Sequence, residues 1–422
     1  MITRFKKVLS GVYLRNVGWM AGAELANRII RLSGTVILAR MFSPQDYGLM
    51  AIIYTMSDFA NVFMLRGGIG AKIIQADEQD VKEVTNTAYW LNWIACGSIC
   101  IIQCFIAWLI PYFSHDQHIT LPLCVVALTY LGYPLFVIHL TLLERDNQFK
   151  AIAVCNIVIS LVSNVLTAIF ALRGMGIWAI ACSIFLATPV WIILTWKYHP
   201  WRPPHRFTLE KRQEVLGFGS NLLLNDLLNR VRANVDYLIV GKYLGIEALG
   251  MYYFAFNAGS GITLNLLNTF MSPLYPYICA AKSNYSQFRQ RYFSSLKKIS
   301  IILVPLILVQ ASLSPIYVPI IFGKKWTPAI PVLILICLSV VPRIYAWASS
   351  LLLNAINKTR LSLYINIAAT TIFIISIFAA VQGGIVWVAF AVFFNTLVVS
   401  FVSTFWTHRF ALRKEHFLNS IN

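Results

Sequence analysis

Residues 24–48 read ELANRIIRLSGTVILARMFSPQDYG, and residues 226–250 read DLLNRVRANVDYLIVGKYLGIEALG. An offset of 202 positions lays Glu24 on Asp226, Leu25 on Leu227, Asn27 on Asn229 and Arg28 on Arg230. The same offset brings Ile37 onto Ile239, Arg40 onto Lys242 and Gly48 onto Gly250. Shared apolar composition alone would match Leu with Ile; it would not match an acid, an amide and a guanidinium at fixed spacing. The chain is therefore read as an internal duplication. A second register agrees, because Arg173–Trp178 (RGMGIW) resembles Gln382–Trp387 (QGGIVW) and Asn147 resembles Asn357, at offsets of 209 and 210. A few inserted residues account for the difference.

The 422 residues are 58% hydrophobic and only 12% charged, with a mean hydropathy of +0.69. No single soluble core could hide that much apolar surface, so the sequence is that of an integral membrane protein. Duplication in such a chain is a mark of secondary transporters. A spanning helix needs about 20 mostly apolar residues. Stretches of that kind lie near 14–39, 48–66, 86–110, 120–142, 151–172, 175–196, 215–240, 250–278, 299–322, 328–353, 361–381 and 384–407. The expected fold is all-α: about twelve transmembrane helices in two pseudo-symmetric six-helix bundles. Residues 1–197 form the N-terminal bundle, 198–214 a cytoplasmic linker, 215–408 the C-terminal bundle and 409–422 a cytoplasmic tail. Pro273 and Pro276 should break the eighth stretch. The Lys282–Lys298 segment, with Phe288, Tyr292 and Phe293 among Arg289 and Arg291, is expected to lie along the membrane surface.

The net charge of +18 is arranged for topology and does not point to nucleic acid. With the N-terminus placed in the cytoplasm, 24 of the 34 basic residues fall in cytoplasmic segments and five (Arg40, Arg173, Lys242, Lys324 and Lys325) in outer loops. That is the positive-inside pattern for an even number of spans with both termini cytoplasmic. The N-terminus lacks the compact apolar run and cleavage site of a secretory signal. The eight cysteines form no CxxC pair, and Cys96, Cys100 and Cys104 read as small packing residues on one helical face. His139 is read as a packed, hydrogen-bonded histidine. No metal site or resident cofactor is expected; His115, Asp116 and His118 are too sparse a set.

Five arginines, Arg28, Arg31, Arg230, Arg232 and Arg343, fall inside expected spans. A charge at the bilayer centre costs about 2.5–3.5 kcal/mol on insertion scales, so such groups must face partners or a water-filled cavity. Glu24, Arg28, Arg31 and Thr35 share one face of the first helix; Asn229, Arg232 and Asp236 share a face of the seventh, flanked by Asp226 and Arg230. Glu24 with Arg28 and Asp226 with Arg230 are spaced for i,i+4 ion pairs. Arg31 and Arg343 have no acid at helical spacing, and Arg232 has only Asp236. Surplus guanidinium groups in a cavity suit an anionic ligand, phosphate above all. The substrate-binding candidates are Arg28, Arg31, Arg230, Arg232, Arg343 and Asn229. Glu24, Asp58, Asp226 and Asp236 are candidates for H+ or Na+ coupling or for holding the arginines. No GxGxxG, Walker, HExxH or GxSxG motif occurs, so no enzyme chemistry is expected.

Gly70–Gln75 (GAKIIQ), NTAYWLNW at 86–93, LLERDNQFKAIA at 142–153, GMGIWAIA at 174–181 and DYLIVGKYLGIEALGMYYFA at 236–255 together resemble the polysaccharide-transport family of the multidrug/oligosaccharidyl-lipid/polysaccharide (MOP) flippase superfamily, which is MATE-like in fold. The resemblance implies a flippase of the bacterial cell inner membrane. It implies a substrate, an undecaprenyl-diphosphate-linked oligosaccharide repeat unit, and movement by alternating access around a central cationic cavity. It also implies service to O-antigen, capsule or exopolysaccharide synthesis beside a polysaccharide polymerase and chain-length regulator. The alternatives are a cation-coupled multidrug exporter of the same superfamily, which would want acids rather than arginines, and a membrane polymerase or ligase, which would want a large outer loop.

Overall fold

In the computed structural model, which describes residues 14–64, 66–114, 117–204, 206–281, 284–356 and 359–411, the described chain is almost wholly helical and without strands. His115, Asp116 and most of the expected tail lie outside the described residues. The helices in chain order begin with α1 (Leu14–Met41), α2 (Pro44–Phe63), α3 (Arg66–Gln75) and α4 (Val81–Ser114). There follow α5 (Thr120–Thr129), α6 (Tyr133–Arg145), α7 (Phe149–Leu172) and α8 (Trp178–Tyr198). The pattern then restarts with α9 (Arg212–Leu244), α10 (Ile246–Met271), α11 (Leu274–Cys279) and α12 (Tyr285–Tyr317). It closes with α13 (Ile330–Ala355), α14 (Thr359–Ala380) and α15 (Ile385–Ala411). Each copy thus runs long, long, short, very long, which is the duplication seen in backbone form.

The repeated 25-residue stretch folds as helix, tight turn, helix in both copies. In the first, Ser43 caps α2: its hydroxyl receives the Asp46 N–H at 3.1 Å and the Asp46 carboxylate receives the Ser43 N–H at 3.0 Å. Pro44 takes the first helical position, where a missing N–H is harmless. In the second copy Gly245 makes the turn at φ +88°, a left-handed conformation that favours glycine.

Eight segments among the described residues are long and apolar enough to cross a membrane. They include α4, α7, α8 and α15, and the run Thr120–Arg145, in which a 3-10 turn at Tyr130–Gly132 joins α5 to α6. The four remaining long helices, α1, α2, α9 and α10, fall short because Glu24, Arg28, Asp58, Arg230, Asp236 and Asn265 interrupt their apolar faces. They are the first two helices of each copy. The polar face is therefore duplicated along with the fold.

Two expectations about helix limits meet the structure differently. The eighth stretch breaks at the first of its two prolines: α10 ends at Met271 and α11 restarts beyond Pro273, while Pro276 lies within α11. The Lys282–Lys298 segment, expected along the membrane surface, instead supplies the first turns of α12, with Lys282 itself outside the described residues. Phe288, Tyr292, Leu296, Ile299 and Leu303 are all buried there. Their spacing is one helical stripe, so burying the stripe keeps the helix unbroken.

The chain divides into two compact units, Met1–Asn234 and Val235–Asn422. The division falls inside α9. Residues after α8 lie against the first unit: the Trp90 indole donates to Arg206 O at 2.9 Å, His139 Nε2 meets Trp201 O at 3.0 Å, and Lys211 pairs with Asp80 at 3.3 Å. Inside each unit a glutamine on the very long helix ties two helices. Gln103 of α4 donates to Leu123 O and accepts from the Tyr130 hydroxyl. Gln310 of α12 donates to Gly259 O at 2.7 Å and accepts from Thr263 at 2.7 Å. In hydrocarbon no water could satisfy such groups, so they hold helices together. Gly259 permits a close approach of α10 to α13: a Cβ there would lie 3.1 Å from both Cys337 Sγ and Leu333 Cγ of α13.

Candidate functional site

On α1 one carboxylate serves two arginines. Glu24 Oε1 lies 3.3 Å from Arg28 Nε and 3.1 Å from Arg31 Nη2. The expected i,i+4 pair forms, and Arg31, which has no acid at that spacing, reaches the same oxygen from two turns away. The three side chains are a quarter to a half exposed.

A cavity of about 990 Å³ opens within the first unit, walled by α2, α3, α6, α8 and the first-unit part of α9. Its polar lining is Asn61, Glu144, Asp226, Asn229 and Arg230; its apolar lining includes Tyr133, Phe136, Val137, Leu140 and Trp191. Arg230 does not take the local partner its spacing offers, Asp226. Its Nη1 lies 3.3 Å from Asp58 Oδ2 on α2, and Asp226 stands on the cavity wall four residues away. Asp58, isolated in sequence, thus has a guanidinium from another helix. Arg232 is exposed on α9 two residues beyond. Among the named charges of the wall, the cation Arg230 faces the carboxylates of Asp226 and Glu144, so this chamber is not purely cationic.

The second unit assembles the remaining candidates. Asp236 is buried; one carboxylate oxygen accepts from the Tyr252 hydroxyl at 2.8 Å and the other from the Tyr237 N–H at 3.0 Å. Arg343 of α13 lies within electrostatic range of Asp236, Tyr237 and Tyr252. Arg343, without an acid on its own helix, receives one from α9. All the candidates but Arg232 thus fall into three clusters: Glu24 with Arg28 and Arg31, Asp58 with Arg230 beside Asp226 and Asn229, and Asp236 with Arg343.

The sequence profile of the family described as polysaccharide biosynthesis protein matches residues 37–331. The chain belongs to that family. Over 97% of its length it is 25% identical to the teichuronic acid biosynthesis protein TuaB of Bacillus subtilis (strain 168), of which it covers 83%. Its fold is similar to that of the lipid II flippase MurJ in an inward closed conformation. That likeness has a TM-score of 0.74 at 15% identity, covering 95% of this chain and 89% of that one. It is similar as well to an inward-facing multidrug resistance MATE family transporter of the MOP superfamily, with a TM-score of 0.72 at 12% identity, covering 91% and 94%. At these identities the likeness speaks for the fold: this family member is a multi-pass membrane protein, almost wholly helical in its described residues, with the fold seen in those two transporters.

Beside the cavity the structure reveals positioning groups that sequence spacing does not mark. Arg145, counted in sequence only as a cytoplasmic charge, donates from Nη1 to Ile73 O at 2.7 Å, Ile74 O at 3.1 Å and Ala76 O at 2.7 Å. It caps the end of α3, where unpaired carbonyls and the helix dipole favour a cation. The neighbouring Glu144 faces the cavity. The signal was available only as LLERDN at the end of an apolar run.

His199, just outside α8, fixes the start of the linker. Its Nδ1 accepts the Trp201 N–H at 3.1 Å and its Nε2 lies 3.3 Å from Asp146 Oδ2. Burial lowers its pKa below the usual histidine value, against the opposing pull of Asp146. The neutral imidazole with its proton on Nε2 satisfies both contacts. Because the folded form binds fewer protons than the unfolded one, this contribution is present above about pH 6.5 and is lost as pH falls below it. Thermal unfolding in detergent is expected to show Tm dropping as pH falls below about 6.5, and His199→Gln to flatten that slope. An unchanged slope would place the titration elsewhere.

Proposed function

We propose that the protein is a flippase that moves an undecaprenyl-diphosphate-linked oligosaccharide across the bacterial inner membrane by alternating access, with both termini in the cytoplasm. The observation that carries this is the set of arginines held by acids on adjoining turns or helices, Arg28 and Arg31 by Glu24 and Arg230 by Asp58, with Arg230 on the wall of a cavity of about 990 Å³. Membership of the polysaccharide biosynthesis protein family supports it, as does the fold shared with a lipid II flippase. The head group enters from the cytoplasmic side while the polyprenyl tail remains in lipid. Arg28, Arg31, Arg230, Arg232 and Arg343 are the groups offered to phosphate oxygens.

In the empty protein the ion pairs keep these cations compensated in a medium where a lone charge is expensive. The pairs of Glu24 with Arg28 and Arg31 and of Asp58 with Arg230 are partly exposed and worth about 0–1 kcal/mol, so a diphosphate, which accepts forked, charge-assisted hydrogen bonds from guanidinium, can displace a carboxylate there. The released Asp58 or Glu24 is then free to take H+ or Na+, which links substrate exchange to a gradient. The protein's own role is binding and orientation; no bond is made or broken. A polysaccharide polymerase and chain-length regulator would take the delivered unit on the other face.

The test is transport by purified protein in proteoliposomes. Movement of a fluorescent undecaprenyl-diphosphate oligosaccharide to the far leaflet, faster than in empty liposomes, is the expected result. Indifference to that lipid together with export of cationic drugs would overturn the reading in favour of a multidrug exporter.

A further inference from the structure

We infer that the first-unit cavity is a saccharide site, in which a pyranose ring of the substrate head group lies against Trp191 and its hydroxyls meet Asn61, Asn229, Asp226 and Glu144. The inference rests on the proposed flippase function and assigns a division of labour within it: Trp191 and the amides of this wall take the sugar, and the arginines, Arg230 of the same lining included, take the diphosphate.

The chemistry of the lining carries the assignment. Of the lining residues, the guanidinium of Arg230 is the group that suits a diphosphate; the carboxylate of Asp226 does not, and the amides of Asn61 and Asn229 carry no charge to hold one. A neutral sugar suits that remainder of the wall. Its hydroxyls donate to carboxylates and both donate to and accept from amides, and Asn61 and Asn229 supply two amides. A pyranose also has faces made of C–H groups, which are attracted to the negative face of an aromatic ring.

The cavity supplies such a face. Trp191 of α8 stacks on Phe136 of α6 with ring centroids 5.2 Å apart and planes 12° apart. Phe136 is 5% exposed and fixed against Tyr133, at 5.0 Å, on its own helix. Trp191 is half-buried and lines the cavity. One face of the indole is therefore spent on a rigid aromatic backing, and the ring is pre-oriented at little further entropic cost on binding. A volume of about 990 Å³ lies at the upper end of the range of small-molecule sites, about 300–1,000 Å³, and is room for more than one sugar ring. A purely structural aromatic pair would be expected to face other side chains; here it faces a chamber rimmed with acids and amides.

The experiment compares two short-chain ligands on the full-length protein in nanodiscs: citronellyl diphosphate, and the same lipid diphosphate carrying one glucose, galactose or mannose. The unsubstituted protein is expected to bind at least one glycosylated ligand more tightly than the bare diphosphate. Trp191→Leu is expected to erase that difference, weakening the glycosylated ligand about tenfold, the order of 1.4 kcal/mol, and leaving the bare diphosphate unchanged. Trp191→Phe should restore most of the difference, which a folding defect would not do. If all ligands bind and Trp191→Leu affects them equally or not at all, the saccharide site is overturned while the flippase reading stands. If no lipid diphosphate binds the unsubstituted protein, the flippase reading fails and this inference falls with it.

Discussion

Replacing Arg230 with Ala is expected to slow flipping in proteoliposomes by about 10–100-fold while leaving the protein folded. A hydrogen bond to a charged partner is worth about 1.5–3 kcal/mol, and each 1.4 kcal/mol is a factor of ten. Arg230 is singled out among the five arginines because it stands on the cavity wall and pairs across helices, α9 to α2. Arg230→Lys keeps the charge but loses the planar fork, so a partial defect is expected. The exchange variant, Asp58→Arg with Arg230→Asp, separates binding from architecture. It restores an ion pair between the same helices and should fold, yet it moves the guanidinium away from its place on α9. Its transport should stay at the Arg230→Ala level; recovery of transport would show that the pair is only a brace.

Trp326→Ala should be strongly destabilising. The residue sits in the 3-10 segment Lys324–Ala329 between α12 and α13 and is fully buried. Its ring stacks on Phe254 of α10 at 4.1 Å and 18°, and Phe254 in turn meets Phe322 edge-on at 5.2 Å. One indole thus ties the segment between α12 and α13 to α10 within the second unit. Removing a buried aromatic of this kind costs about 3–5 kcal/mol, because the cavity left behind cannot fully collapse. Thermal unfolding in detergent should show a drop of several degrees for Trp326→Ala and a much smaller one for Trp326→Phe, which keeps the stack. Equal, small shifts for both would mean that the segment bears little of the second unit's stability.

The duplicated architecture was readable in sequence because it rests on one-dimensional signals. Apolar length sets a span, and Pro273 stands at the break between α10 and α11. Misreadings arose where a local pattern had two physical outcomes. Phe288 and Tyr292 among arginines read equally as an interfacial ribbon and as a helical stripe, and only a neighbour to bury them chose the stripe.

The candidate charges followed the same division. Glu24 with Arg28 is a one-turn contact, fixed by helix geometry, so the sequence determined it. Asp226 with Arg230 has the same spacing and was equally available, but tertiary structure decided otherwise: α2 places Asp58 within 3.3 Å of Arg230. Asp236 beside Arg343 and Arg145 on the end of α3 also depend on helices remote in sequence, and no spacing rule reaches them. The sequence by itself determined that this chain is a doubled, all-helical membrane protein with costly charges inside, because apolar length and helical period are local properties. Which acid holds which arginine, and that an aromatic stack and amides share one chamber, only the tertiary structure decided, because partner choice depends on distances between helices that no stretch of sequence contains.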